Sequence, residues 1–124
     1  MHLDHLNLYV NDITLSRTFY ETVLLPFGYE VLRDFGDVAV GFGATNYAVL
    51  ALVREREKIQ TTHLAFRVDS RSEVDRFYAI ALEAGASDNG QPGVRPHYHE
   101  HYYAAFVIDP DGHNLEFVCH EPGA

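Results

Sequence analysis

The 124-residue sequence predicts an α+β fold made of two βαβββ modules, from an internal repeat and from the same order of elements in each copy. Residues 5–12 (HLNLYVND) align with residues 63–70 (HLAFRVDS), an offset of 58 positions. The match continues through Phe19-Tyr20 over Phe77-Tyr78 and Leu24 over Leu82. A period this long, used only twice, indicates one domain over residues 1–124, with module one at about 1–55 and module two at about 60–120.

A strand followed by a helix opens each copy. Residues 3–10 and 61–68 alternate in character and predict strands. Asp12 is the predicted cap of the first helix, which ends near Pro26 and Gly28, and Ser70 with Glu73 forms a capping box for the second, which ends at Gly85. The apolar stripes predicted for the helices are Leu15, Phe19 and Val23 in the first, and Val74, Phe77, Tyr78 and Ala81 in the second.

Three short strands complete each copy. They are predicted near 30–33, 38–42 and 47–53 in module one, and near Val94, 101–108 and 114–119 in module two. Between the last two strands lies Asp109-Pro110-Asp111-Gly112, in which Pro presets the first turn torsion and Gly tolerates positive φ. A hairpin is therefore expected there.

Composition excludes several classes of protein. The 47% hydrophobic and 22% charged content is ordinary for a globular domain, and no apolar run approaches membrane-spanning length. A net charge of -9 argues against a nucleic-acid partner. The lone Cys119 cannot form an intramolecular disulfide, and it is expected to be a buried small hydrophobe in a reducing, cytoplasmic setting.

Period-2 alternation places His5, His63 and Glu116 on the polar faces of their strands, opposite apolar faces that should pack under the helices. A pseudo-twofold relation between the modules would bring the two His strands together around one cup. Two imidazoles and a carboxylate facing one another satisfy each other best around a divalent cation, and they leave open positions for water or substrate. The alternative is three unrelated polar residues at strand ends.

The sequence resembles the vicinal oxygen chelate superfamily, which includes glyoxalase I, fosfomycin-resistance transferases, bleomycin-resistance proteins and extradiol dioxygenases. The resemblance rests on residues 3–12 (LDHLNLYVND), the Phe19-Tyr20 pair, residues 62–66 (THLAF) and residues 105–116 (AFVIDPDGHNLE). It covers essentially the whole chain. The last segment is the most specific, because the turn and the Glu four residues after its Gly occur together.

This resemblance implies paired modules forming a metal-binding cup, with His5, His63 and Glu116 as ligands of one divalent ion (Fe, Mn, Ni or Zn). It also implies a small-molecule substrate and a homodimer. In such a dimer, modules exchanged between chains would let His5 of one chain meet His63 and Glu116 of the other. A cup closed within one chain is the alternative arrangement.

The sequence departs from glyoxalase I at one position. That enzyme's fourth ligand, a Glu on the last strand of the first module, aligns with Ala51. The three-ligand pattern is closer to the dioxygenases and fosfomycin transferases. However, no basic cluster for a phosphonate is evident, and the second domain of ordinary extradiol dioxygenases is lacking.

The segment 97–103 (HYHEHYY) is dense in His and Tyr. On an extended chain His97, His99 and His101 would point the same way. They would then form either a pocket rim that supplies a proton-transfer group or a second metal site, or a polar loop without chemistry. Arg67 would bind an anionic group or pair with a surface acid. The catalytic candidates are Glu116 and His99; the substrate-binding candidates are Asn7, Tyr9, Arg67, Tyr102, Tyr103 and Phe106, the last if it pairs with Glu116 across the hairpin.

Three functions follow as hypotheses. The first is a metal-dependent enzyme whose substrate chelates the ion through adjacent oxygens, in a glyoxalase-like isomerisation or a ring-cleaving oxygenation. The second is a protein of the bleomycin-resistance type, which would bind a drug or metabolite in an aromatic cup without catalysis. The third is a metal-binding protein that has lost activity.

Overall fold

Each half of the chain forms a four-stranded mixed sheet and one main helix in the computed structural model, which describes residues 1–123. Two compact units divide at Gln60/Thr61. Module one comprises β1 (Leu6–Val10), α1 (Ile13–Leu24), a 3₁₀ turn (Leu25–Phe27), β2 (Glu30–Asp34), β3 (Ala39–Ala44) and β4 (Tyr47–Arg54). Module two comprises β5 (His63–Arg67), α2 (Arg71–Glu83), β6 (Ser87–Val94), β7 (Tyr103–Ile108) and β8 (Asn114–Cys119).

The two modules have the same topology. The strand order is β1-β4-β3-β2 in module one and β5-β8-β7-β6 in module two. In each, the first strand pairs in parallel with the last, and the remaining pairs are antiparallel. The predicted α+β fold of two βαβββ modules is confirmed.

Both helices begin where the sequence predicts. The Asp12 side chain accepts a hydrogen bond from the Leu15 backbone N–H at 3.1 Å, and the Ser70 hydroxyl accepts one from the Glu73 N–H at 3.2 Å. The prediction was wrong at Leu15, which is 55% exposed. The buried face of α1 is set one residue further round and carries Ser16 and Tyr20 beside Phe19 and Val23. No helix among residues 1–123 is long and apolar enough to span a membrane.

Several strand boundaries differ from prediction. β5 begins at His63 rather than at residue 61, and β6 spans Ser87–Val94 where a short strand near Val94 was expected. β1 begins at Leu6 rather than Leu3, so His5 lies just before it. β7 begins at Tyr103 rather than at residue 101, because the preceding residues form turns: the Tyr98 N–H donates to the Arg95 carbonyl at 3.0 Å and the Tyr102 N–H to the His99 carbonyl at 3.2 Å. The extended conformation expected to align His97, His99 and His101 is therefore absent.

The apolar strand faces pack under the helices, as predicted. In module two, Phe117 of β8 stacks on Phe77 of α2 with ring centroids 5.8 Å apart, and Cys119 is fully buried. In module one, Leu8, Leu50 and Leu52 are buried together with Phe19 of α1. Alternate residues of the same strands, including Ala51 and Glu116, therefore lie on the face away from the helix.

The predicted hairpin between β7 and β8 is present. Buried Asp109 organises it: its Oδ1 accepts hydrogen bonds from the backbone N–H groups of Asp111 and His113, and Gly112 has φ 93°. This turn pairs Phe106 with Glu116, the register expected from the sequence.

Candidate functional site

Glu116 is a buried carboxylate in the middle of the module-two sheet. It lies on β8 between Ala65 of β5 and Phe106 of β7, and only 2% of it is exposed. Its Oε1 is 2.8 Å from Nε2 of His63, whose side chain is 53% exposed. A buried charge needs such partners, because it has lost the hydration that water would supply. His63 and Glu116, both predicted as site residues, therefore meet.

Tyr102 binds the other carboxylate oxygen. Its hydroxyl donates a short hydrogen bond to Oε2 of Glu116. Burial, together with this hydrogen bond to a carboxylate, raises the pKa of Tyr102 above its ordinary value. The phenol is thus a neutral donor at physiological pH, and it fixes the orientation of Glu116.

Two histidines form the outer part of this group. Nε2 of His99 lies 2.8 Å from Nδ1 of His120, and both rings contact Tyr102 edge-on at centroid distances of 5.3 and 5.2 Å. The pKa of His120 is lowered by burial, and further by Arg67 and His99. His99 therefore lies at the rim, one aromatic ring away from Glu116.

Of the remaining module-two candidates, Phe106 and Arg67 lie near the Glu116 group and Tyr103 does not. Phe106 lies beside His63, with ring centroids 6.1 Å apart, and Arg95 lies over the Phe106 ring at 5.5 Å. Arg67 is exposed and close enough to influence His120. Tyr103 instead faces α2, where its hydroxyl donates to Asp75 at 2.7 Å. The structure therefore does not bring Tyr103 together with Glu116.

In module one, His5 is oriented by an adjacent carboxylate. Its Nδ1–H donates to Oδ1 of Asp4 at 2.7 Å, and Oδ2 of Asp4 accepts a short hydrogen bond from the Tyr47 hydroxyl. These bonds, led by the one from Tyr47, lower the pKa of Asp4. A carboxylate on one ring nitrogen leaves the other available as a metal donor, which is the usual arrangement around metal-binding histidines.

A cavity of about 280 Å³ lies beside His5 within module one. Asn7, a predicted substrate-binding residue, also lines it, and Tyr9 is exposed further along β1. The other lining residues are Arg33, Phe35, Ala39, Val40, Gly41, Ala48, Leu50 and Ala51.

The donor set of module two fits part of a divalent-metal site. Imidazole nitrogen and carboxylate oxygen both suit Zn, Mn, Fe and Ni, and the two atoms already converge in His63 and Glu116. Across residues 1–123, no group of three or more His, Cys, Asp or Glu side chains is arranged to hold a metal ion. The pair therefore supplies two donors of the kinds that a divalent ion binds.

Comparison with known proteins identifies the family. A family model described as Glyoxalase/Bleomycin resistance protein/Dioxygenase superfamily matches residues 2–117. The chain belongs to this superfamily. It is 25% identical to the uncharacterized protein YqjT of Bacillus subtilis (strain 168) over 133 aligned positions, which cover 94% of this chain and 98% of that protein.

Solved structures of superfamily proteins share the fold. A glyoxalase/bleomycin resistance protein from Albidiferax ferrireducens T118 superposes with a TM-score of 0.80 at 20% identity, covering 95% of this chain and 98% of that one. Lactoylglutathione lyase from Agrobacterium tumefaciens gives a TM-score of 0.74 at 20% identity, with coverage of 95% and 92%.

Within this superfamily fold, strand register places Ala51 as the counterpart of Glu116. Ala51 pairs with Asn7 on β1, and Glu116 pairs with Ala65, the repeat equivalent of Asn7. The alignment made from sequence is therefore confirmed, and module one has no carboxylate at that position.

Sequence reasoning missed several residues of these surroundings, among them Asp4, Tyr47, His120, Arg33 and Arg95. Asp4 and His120 had usable signals: a carboxylate directly precedes His5, and His120 has the same strand parity as Glu116. Arg33 and Arg95 had none, because their positions depend on how β2 and the 95–102 turns are placed.

Proposed function

We propose that this protein is a metal-dependent enzyme whose small substrate binds the ion through adjacent oxygens. The buried Glu116 carboxylate carries the proposal, because its two oxygens are held by His63 and Tyr102 in a superfamily that includes glyoxalases and dioxygenases. His63 and Glu116 are two of the ligands. His5, the repeat equivalent of His63 with its Nδ1 bound to Asp4, is the third.

Residues around Glu116 would divide the work of binding and proton transfer. A bound divalent ion would act as a Lewis acid on the substrate oxygens. Tyr102 holds Oε2 by its hydroxyl, so Oε1 is the carboxylate oxygen directed toward His63. Phe106 and Tyr102 supply ring surface beside these groups.

Glu116 is also the proposed proton acceptor. A general base must lie within hydrogen-bond reach of the substrate. Glu116 meets this condition in the proposed site, because it contacts His63, a proposed metal ligand, and the substrate would bind to that metal. His99 is the alternative base. Its contacts with His120 and Tyr102 place it at the rim, where we propose that it exchanges protons with solvent.

A second candidate function is binding of a metabolite or drug without catalysis. The observation in its favour is the module-one cavity, which exists independently of the Glu116 group and has Ala51 where a carboxylate would be needed for a further ligand. Binding of this kind would not depend on a metal. We further propose a homodimer, as in the superfamily resemblance, operating in the cytoplasm.

Metal content of tag-free protein tests the leading proposal. We expect about one Fe, Mn, Ni or Zn per chain in the wild-type protein, and loss of that metal in both His63→Ala and Glu116→Gln. The His97→Ala variant is the matched control, because it removes a nearby imidazole whose described ring contact is with Tyr98 alone.

Two outcomes would count against the proposal. One is folded wild-type protein that binds no ion after reconstitution with each of the four metals. The other is metal retained in both variants. Tight binding of a small aromatic ligand that is unchanged by a chelator would favour the second function.

A further inference from the structure

The module-one cavity exists because small residues occupy a row that is filled in module two. Paired positions across the module-one sheet are Asn7, Ala51, Gly41 and Arg33. The equivalent row of module two is Ala65, Glu116, Phe106 and Gly90. In the middle of the row, module two has the carboxylate of Glu116 and the ring of Phe106. Module one has only the methyl group of Ala51 and the hydrogen of Gly41 there, which leaves open space.

Arg33 adds a positive charge at the end of that row. The equivalent strand position in module two is Gly90, and the cation beside it, Arg95, comes from outside the row. Gly41 lets the Arg33 stem pack closely across the sheet, since a Cβ at Gly41 would lie 3.2 Å from Cβ of Arg33 and 3.3 Å from Cβ of Ala48. The aliphatic part of Arg33 therefore forms one wall of the cavity.

The Arg33 guanidinium makes no ion pair with a carboxylate in the described residues. Its hydrogen bond is to the Leu32 carbonyl at 2.9 Å. Arg17 and Arg54, the other arginines of module one with described side-chain partners, each pair with an Asp within 3 Å. Arg33 thus brings an uncompensated cation to a cavity whose other apolar side chains include Phe35, Ala48 and Ala51.

We propose that this cavity binds a small organic monoanion, a carboxylate with an apolar body, and that Arg33 binds the carboxylate. A planar guanidinium matches a carboxylate with two parallel hydrogen bonds. The apolar walls suit a hydrocarbon or aromatic body, and a volume of about 280 Å³ restricts its size. One cation in a chain of net charge -9 favours a monoanion over a phosphate dianion.

The inference deepens the proposed function, because His5 lines the same cavity and is a proposed metal ligand. A carboxylate held by Arg33 would place the rest of the molecule beside His5. The substrate class that follows is a small carboxylic acid carrying further oxygens, rather than a neutral aldehyde or a phosphonate.

Benzoate is a suitable probe, with binding measured by calorimetry on the full-length, metal-free protein. We expect a dissociation constant of about 1 mM or tighter. Benzamide, the neutral analogue, should bind at least about tenfold more weakly, because it lacks the charge-assisted hydrogen bonds. Inorganic phosphate at the same concentration should not compete.

Three variants locate the site. Arg33→Leu should weaken benzoate binding by about tenfold or more, and Ala48→Leu should do the same by filling the cavity. Arg56→Leu, which removes an exposed charge elsewhere on module one, should leave it unchanged. Circular dichroism confirms that each variant is folded. Equal binding by wild type and Arg33→Leu, no benzoate binding at all, equally tight benzamide, or competition by phosphate would overturn the inference.

The metal-content experiment and the benzoate-binding experiment test the two proposals separately, so either proposal can be refuted without the other. Because benzoate binding is measured without metal, absence of a metal site would leave it intact. Conversely, loss of metal in His63→Ala and Glu116→Gln would still be observed if benzoate did not bind.

Discussion

Burying a carboxylate costs free energy because the group loses its hydration. Two different side chains compensate Glu116 by hydrogen bonding to it. His63 is half exposed and can rotate away to bind another partner. Tyr102 is bound on the other oxygen and is enclosed by Tyr98, His99 and His120. The tyrosine is therefore the fixed contact, and the histidine is the one that a metal or substrate can take over.

Tyr102→Phe removes the fixed contact without changing the ring. We expect the free energy of unfolding to fall by about 1–2 kcal/mol, because Oε2 of Glu116 loses its hydrogen-bond donor while staying buried. Urea denaturation measures this. Tyr98→Phe is the control, since Tyr98 is 59% exposed and its hydroxyl makes no hydrogen bond among the described residues. A loss as small as that of the control would contradict the role given to Tyr102.

Residue-level prediction succeeded where strand parity decides direction. His63 and Glu116 were predicted from alternation, and the meeting of their side chains follows from the parallel pairing of β5 with β8. The prediction for Tyr103 was not matched. Tyr103 is the first residue of β7, and alternation puts its hydroxyl on the α2 side of the sheet, where it donates to Asp75 rather than joining Tyr102 beside Glu116.

The β3–β4 connection brings two backbone segments close together at Gly43. The register shifts between Phe42 and Gly43, and the chain returns through Thr45, a non-glycine residue with φ 58°. A Cβ at Gly43 would overlap the carbonyl oxygen of Tyr47 and lie 2.8 Å from Cα of Ala48. Only glycine fits there without moving the backbone of β4, and β4 also carries Tyr47 and Ala51.

Gly43→Ala is therefore expected to destabilise the protein by about 2–4 kcal/mol, because backbone rather than a flexible side chain must move. Thermal and urea unfolding measure it. Gly93→Ala on β6 is the matched control: its Cβ would meet the Arg95 guanidinium at 3.0 Å, and a flexible group can give way. A loss in Gly43→Ala as small as that of the control would show that the bulge tolerates a side chain.

At the level of elements, capping and turn residues predicted helix starts and the hairpin correctly, whereas apolar periodicity misplaced one residue of the buried face of α1. Asp12, Ser70 and the Asp109–Gly112 turn act locally, through hydrogen bonds to backbone a few residues away, and all three are confirmed. Leu15 fits a helical stripe in the sequence but is exposed, because the sheet sets which face of α1 is covered. The turns of residues 95–102 likewise depend on contacts between β6 and β7.

At the scale of the whole molecule, the two modules share their strands and helices but differ in the side chains on one face of the sheet. The fold could be predicted because the repeat preserves the strand and helix residues. The cavity could not, since it results from the small residues Gly41 and Ala51 together with Arg33 on another strand. Residues that are small in one copy and large in the other carry the difference.

The net charge of -9 provides a prediction at this scale. Acidic residues outnumber basic ones by 18 to 9, so mutual repulsion between carboxylates opposes the folded state. The ion pairs of Arg17 and Arg54 are exposed to solvent and contribute little against it. Raising NaCl from about 10 to 150 mM shortens the screening length from roughly 30 to 8 Å, which weakens the repulsion.

We therefore expect the midpoint of thermal unfolding to rise by roughly 3–5 °C over this range, corresponding to about 1 kcal/mol for a chain of this size. Calorimetry at constant protein concentration and pH 7.5 measures it, and constant concentration matters because association would also shift the midpoint. Choline chloride serves as a control for specific cation binding, since it screens equally but cannot occupy a metal site. A midpoint that falls with salt would mean that attraction within ion pairs outweighs the repulsion between carboxylates. Substitution of Arg17 and Arg54, which form exposed ion pairs, would then test which pairs are responsible.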